Sequence, residues 1–200
     1  MNEQYFSADP HCVSRPVACE TQYRGHALKF ETDAGVFSRG ELDEGTRLLL
    51  RALPDPVAGR VLDLGCGWGA VGVSLSKAYP QARVVMSDVN ARALALAAAN
   101  VQANGVRAEA VQSDGLTGVD GAFDLIVTNP PIRAGKQVIY RLFAQSAARL
   151  SEGGALYLVI RKQQGAPSAV AYLQTLFERV EIVKKSGGFW VVACKIPRME

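Results

Sequence analysis

The feature that most constrains this chain is the run Val61-Leu-Asp-Leu-Gly-Cys-Gly-Trp-Gly69, which heads a long alternation of apolar segments. A short apolar strand runs straight into three glycines at every second position. Without a Cβ, glycine adopts the positive φ that a sharp strand-to-helix turn needs and lets a ligand approach the backbone. The sequence beyond predicts strands near 60–64, 83–87, 106–111, 123–128 and 155–160. It predicts helices near 69–79, 91–103, 135–150 and 167–178, the second of them rich in alanine. Strands alternating with helices form a parallel sheet with helices on both faces.

Both ends depart from that alternation. Residues 1–20 are polar, carry Pro10 and Pro16, and are expected to wrap the surface. Residues 21–32 alternate about Gly25 and predict a hairpin; a loop from Asp33 to Gly40 then leads to a helix from about Asp43 to Leu53. At the far end, Val180 to Lys185 and Phe189 to Ile196 are split by Gly187-Gly188, the spacing of an antiparallel hairpin. The expected fold is α/β and Rossmann-like: a mostly parallel, seven-stranded sheet closed by an antiparallel hairpin. An N-terminal extension with its own hairpin over 1–40 and a core over 41–200 make one domain of residues 1–200. At the level of fold, this layout resembles the class I methyltransferases.

Composition excludes several classes. A chain of 200 residues buries roughly 70% of its unfolded surface and needs no metal or disulfide to fold. The four cysteines, Cys12, Cys19, Cys66 and Cys194, form no Cys-x-x-Cys, and only His11 and His26 are available to join them, so no metal site is expected. The N-terminus lacks the basic and apolar regions of a signal peptide, and no apolar run approaches the ~20 residues of a membrane span. Reduced thiols in a cytoplasmic protein are the expectation. A net charge of +3 permits an anionic partner without demanding one.

The glycine loop alone fits either a dinucleotide or S-adenosyl-L-methionine, because Ala70 completes the looser dinucleotide fingerprint. Asp63 favours the second. A carboxylate there repels a pyrophosphate, whereas it orients the ammonium of a methionine moiety. The bland alternative is that the glycines only make a tight turn. Asp88 ends the second strand, 23 residues beyond Gly65, where a carboxylate accepts bonds from two ribose hydroxyls. The helix that follows has its own cap candidate in Asn90. Asp114, before Gly115, is placed to accept from an adenine amine. The expected cofactor site is Asp63, Gly65, Cys66, Gly67, Gly69, Asp88, Val89, Asp114, Gly115 and Asn129.

A second motif lies at the end of the fourth strand, Asp124-Leu-Ile-Val-Thr-Asn-Pro-Pro131. Pro130 biases Asn129 to an extended backbone, and Pro131 fixes the direction of the Pro130 carbonyl. The Asn129 oxygen and that carbonyl can accept both N–H bonds of an exocyclic amine and turn its lone pair toward a methyl donor. Fixed dipoles then stabilise the positive charge that grows on nitrogen. Asn-Pro-Pro has no role in hydride transfer, which also disfavours a dinucleotide. Asn129, Pro130, Pro131 and Ile132 are the expected catalytic site.

With the glycine loop, Asn129-Pro130-Pro131 resembles the methyltransferases that act on adenine N6, guanine N2 or glutamine. The longer strings Asn129-Pro-Pro-Ile-Arg-Ala-Gly-Lys136, Arg161-Lys-Gln-Gln-Gly165, Lys185-Ser-Gly-Gly188 and Phe30-Glu-Thr-Asp-Ala-Gly-Val-Phe-Ser38 are similar to the RsmC-like group, from about Tyr5 to Pro197. The resemblance implies methylation of guanine N2 in small-subunit ribosomal RNA. Adenine enzymes of this type usually carry Tyr or Phe after the second proline; Ile132 offers no π face, which leaves guanine. The RsmC-like enzymes have two tandem halves, and this chain resembles the catalytic one.

Six basic residues and one acid lie between Pro131 and Gly165. Arg133, Lys136, Arg161 and Lys162 are expected on the rim, holding RNA phosphates about an extruded base. Arg141 and Arg149 are read as a solvated helix face. Tyr5, Phe6 and Phe37 are candidates to stack on the base, and Phe37 and Ser38 are equally placed to cover the cofactor. Two other functions stay open: methylation of a glutamine or small-molecule amine, and a catalytically idle module that binds RNA or a partner.

Overall fold

Strand β3 (Arg60–Leu64) is buried along nearly its whole length, as the middle strand of a sheet covered on both faces must be. The computed structural model describes residues 13–198, so the expectations for Tyr5, Phe6, His11 and Cys12 lie outside the described residues. After the hairpin β1 (Val17–Tyr23) and β2 (His26–Thr32) come α1 (Glu44–Ala52), β3, α2 (Ala70–Ala78), β4 (Arg83–Asp88), α3 (Ala91–Ala103), β5 (Ala108–Gln112) and β6 (Phe123–Thr128). They are followed by α4 (Lys136–Ala147), β7 (Leu150–Arg161), α5 (Ala166–Leu176), β8 (Phe177–Ser186) and β9 (Phe189–Pro197).

Seven strands make one sheet in the order β5-β4-β3-β6-β7-β9-β8. Neighbours from β5 to β7 are parallel, and β9 pairs antiparallel with both β7 and β8. Period two sorts the side chains. Val61, Met86 and Val127 join one apolar layer, and Leu62, Val85 and Ile126 join the other. Helices α1, α2 and α3 cover the first layer through Leu49, Val73 and Ala97; α4 and α5 cover the second through Phe143 and Leu173.

The strand order reverses at β3. The chain steps outward to β4 and β5 on one side and then returns to β6 and β7 on the other. Connections lead away in opposite directions there and leave a crevice outside the carboxyl ends of β3 and β6.

The hairpin is held against α3 by two asparagines one helical turn apart. Asn104 accepts from Lys29 N (3.0 Å) and donates to Lys29 O (2.7 Å). Asn100 accepts from Glu31 N (2.8 Å) and donates to Glu31 O (2.9 Å) and Trp68 O (2.8 Å). The side-chain amides thus stand in for a neighbouring strand at the β2 edge, which would otherwise leave polar backbone groups unpaired.

Three boundaries differ from the sequence expectation. Strand β1 starts at Val17, where residues to 20 were expected to wrap the surface. The pairing extends because Val17, Cys19 and Thr21 lie half-buried on one side while Thr32 donates to Val17 O. Strand β7 begins at Leu150 because Leu150 still pairs with Phe123, past a register shift. Strand β8 begins at Phe177, within the stretch expected to be helix, because Phe177 is buried and pairs with Pro197.

Asn100→Ala leaves the Glu31 backbone pair and the Trp68 carbonyl without these partners. We expect a loss of about 3 kcal/mol in urea-unfolding free energy. A loss below about 1 kcal/mol would mean that the Asn100 amide adds little to holding the hairpin.

Candidate active site

The crevice at the strand reversal contains a cavity of about 360 Å³, within the roughly 300–1,000 Å³ usual for ligand sites. Its floor is the glycine loop. Gly65, Gly67 and Gly69 all have positive φ (71°, 55° and 87°). A Cβ on Gly65 or Gly67 would meet nothing within 4 Å, so these two glycines leave open space over the loop. Gly69 has another duty. It lies outside the cavity lining, and a Cβ there would sit 3.1 Å from that of Ala97 and 3.3 Å from Met86 Sδ, so it allows α2 to pack closely.

Asp63 and Asp88 project from the ends of β3 and β4 into this space. Asp63 is buried and accepts from Gly72 N (2.8 Å), in the first turn of α2. Burial raises its carboxyl from 3.8 to about 7, opposed by that hydrogen bond. Asp88 accepts from Gly67 N (2.8 Å) and Asn90 N (2.9 Å), which fixes both the loop and the carboxylate; burial raises its pKa as well. Asn90 caps α3 by accepting from Arg92 N and Ala93 N, as expected from the sequence. Among the described residues, neither Asp63 nor Asp88 forms an ion pair. A buried and a half-buried carboxylate without a cation call for a ligand that supplies positive charge or hydrogen-bond donors. S-adenosylmethionine carries an ammonium, a sulfonium and ribose hydroxyls, so the residues present fit it; a pyrophosphate would add repulsion.

Asp114 and Gly115 line the far end, with Val89 and Cys66 between. Asp114 is not alone there. Arg141 donates to both of its oxygens (2.8 and 2.6 Å) and holds its carboxyl below the usual range. Arg141 is an exposed residue of α4, as expected, but nothing in the sequence signals that its guanidinium also pairs with Asp114 and lines the cavity.

Asn129, Pro130 and Pro131 line the same cavity, just beyond the end of β6. Asn129 Nδ2 donates to Thr46 Oγ1 (3.0 Å) and lies 3.5 Å from both oxygens of Asp43. Asp43 and Thr46 also line the cavity, and sequence reasoning missed both, reading them only as the start of a helix. The available signal was Asp43-Glu-Gly-Thr46, a cap before an apolar helix, which gives no hint of the neighbour at position 129. Ile132 lies outside the lining and packs against the α4–α5 side.

The N-terminal loop forms the remaining wall. Phe37 and Ser38 both line the cavity, between Trp68 and Leu42. Trp68 Nε1 donates to Phe37 O (2.9 Å), and its ring meets Phe30 edge-on at 4.9 Å. The four expected phosphate contacts lie outside the lining. Arg133, Lys136, Arg161 and Lys162 are exposed. Arg161 lies over Phe189 (4.6 Å) and Lys136 over Tyr140 (5.1 Å). Among the described residues no group of His, Cys, Asp and Glu could hold a metal, and no helix is long and apolar enough to cross a membrane.

Sheet order, glycine loop and the carboxylates at the ends of β3 and β4 together define the class I methyltransferase architecture. The chain belongs to the methyltransferase small domain family, which matches residues 27–193. It is 41% identical to the Bacillus subtilis protein YbxB over 98% of this chain and 99% of that one. It is 43% identical to ribosomal RNA small subunit methyltransferase C of Hahella chejuensis, over 70% of this chain and 42% of the relative. Among solved structures, the T. thermophilus 16S rRNA N2 G1207 methyltransferase (RsmC), in complex with AdoMet and guanosine, superposes with a TM-score of 0.82 at 30% identity, covering 94% of this chain and 52% of that one. The chain thus spans about half the length of the RsmC proteins it matches.

Asp63 gives a pH-dependent expectation. Its folded carboxyl keeps a proton up to about pH 7, whereas the ordinary value is 3.8. The ligand-free protein therefore loses stability as pH rises through that window. Asp63→Asn should raise Tm at pH 8 by several degrees and change it little at pH 4.5. An equal change at both pH values in calorimetry would remove the burial effect.

Proposed function

We propose that this protein transfers a methyl group from S-adenosylmethionine to an exocyclic amine of RNA, with guanine N2 of small-subunit ribosomal RNA as the target. One observation carries the reading: Asn129-Pro130-Pro131 lines the same cavity as the glycine loop, Asp63 and Asp88. Donor and acceptor sites within one cavity are what direct transfer requires. The T. thermophilus enzyme named for N2 of a 16S guanine, solved with AdoMet and guanosine, supports the choice of substrate.

When bound, S-adenosylmethionine supplies an electrophilic methyl on a sulfonium. The chain's own residues do the rest. Asp63 holds the ammonium end beside Gly65, Cys66 and Gly67. Asp88 takes the ribose hydroxyls, with Val89 beside it. Asp114, kept ionised by Arg141, accepts from the adenine amine near Gly115. Asn129 Oδ1 and the Pro130 carbonyl accept the two N–H bonds of the substrate amine. Those dipoles stabilise positive charge on nitrogen without reorganising, and no general base is required. Arg133, Lys136, Arg161 and Lys162 take phosphates on either side of the base, in the cytoplasm where ribosomal RNA is processed.

The test offers unmodified small-subunit RNA, naked and as assembled subunits, with methyl-labelled donor, followed by digestion to nucleosides. Label is expected in N2-methylguanosine. Asn129→Ala should lower turnover by about 100- to 1,000-fold while calorimetric binding of the donor is unchanged. Near-normal turnover in that variant, or label transferred to protein or a small amine after RNase treatment, contradicts the reading.

A further inference from the structure

A side-chain amide has one accepting end and one donating end, and only the accepting end can grip an amine. The surroundings of Asn129 decide which end faces the cavity. Thr46 Oγ1 gives its single proton to Asp43 Oδ2 and keeps only lone pairs. Asp43 is the cap of α1: its Oδ1 accepts from Gly45 N (3.0 Å) and Thr46 N (3.2 Å), and a carboxylate donates nothing. All three side-chain oxygens that Asn129 meets are therefore acceptors. Nδ2 lies 3.0 Å from the first and 3.5 Å from the other two. Turned over, the amide would lose these contacts and set its own oxygen against three sets of lone pairs. The partners of the amide are closely packed. Thr46 is 5% exposed. A Cβ on Gly45 would come within 2.9 Å of the Phe189 ring, so the start of α1 sits hard against β9.

We infer that Asp43 and Thr46 are positioning residues that lock the Asn129 amide with its oxygen toward the acceptor amine. This rests on the reading of Asn129 as the grip on the amine. It makes the start of α1, far away in sequence, part of the machinery that selects a hydrogen-bond-donating nitrogen.

Three variants and one spectrum test it. Thr46→Val keeps the shape and removes the accepting oxygen. Asn129→Asp keeps an oxygen for the amine but sets another against Asp43. Each should lower kcat by about 100-fold, with the Kd for S-adenosylmethionine close to wild type. Thr46→Ser should restore most of kcat. Full kcat in Thr46→Val or Asn129→Asp, or equal loss in Thr46→Ser, overturns the inference. In nuclear magnetic resonance spectra of the wild type, the Asn129 side-chain amide pair (the one missing in Asn129→Asp) should exchange with water far more slowly than exposed amides. Fast exchange overturns the inference. The spectrum needs neither RNA nor a stable Thr46→Val. A wild type that methylates no RNA guanine would sink the proposed substrate, while the spectrum would still decide the orientation of the amide.

Discussion

The reversal of strand order at β3 is the constraint on which the rest of the site depends. From β3 to β4, β4 to β5 and β6 to β7 each connection leads to the neighbouring strand. Between β3 and β6 the connections part, and polar groups at the strand ends face open space rather than packed chain. Asp63, Asp88 and Asn129 all sit at strand ends around this opening. Their chemistry follows from it: a carboxylate buried there escapes the sheet ladder but not the low dielectric. This is why burial raises both aspartates.

Two distant parts of the chain complete the opening. The N-terminal loop supplies a wall, held by the Trp68–Phe37 bond and by a hairpin that borrows Asn100 and Asn104 as its pairing partner. Helix α1 reaches the other side, where Asp43 and Thr46 meet Asn129 across 83 to 86 residues of sequence. The cavity is therefore bounded by segments that precede β3 in the chain, and the extension is tied directly to it. Arg141 contributes similarly from α4 by fixing Asp114.

The parts legible in the sequence are those governed by local rules. Short continuous apolar runs and an alanine-rich stretch located β3, β6 and α3 almost to the residue, since a strand covered on both faces is apolar along its length. The glycine loop and Asn-Pro-Pro announced themselves because both need unusual backbones. Strand β8 was harder: it is an exposed edge, so its apolar pattern is weak and its first residues read as helix. Asp43, Thr46 and Arg141 were hidden for a different reason. Each looks like an ordinary cap or a surface charge, and only the fold brings a partner to it. Gly69 shows the converse, a motif position whose role is packing rather than contact with the cavity.

The central claim is that one cavity holds both a sulfonium donor and a nucleobase amine. A crystal structure with S-adenosylhomocysteine and guanosine tests it most directly. The account predicts the homocysteine ammonium beside Asp63 and guanine N2 within hydrogen-bonding distance of both Asn129 Oδ1 and the Pro130 carbonyl. A donor bound outside the glycine loop, or a base whose amine points away from residues 129 and 130, would contradict it.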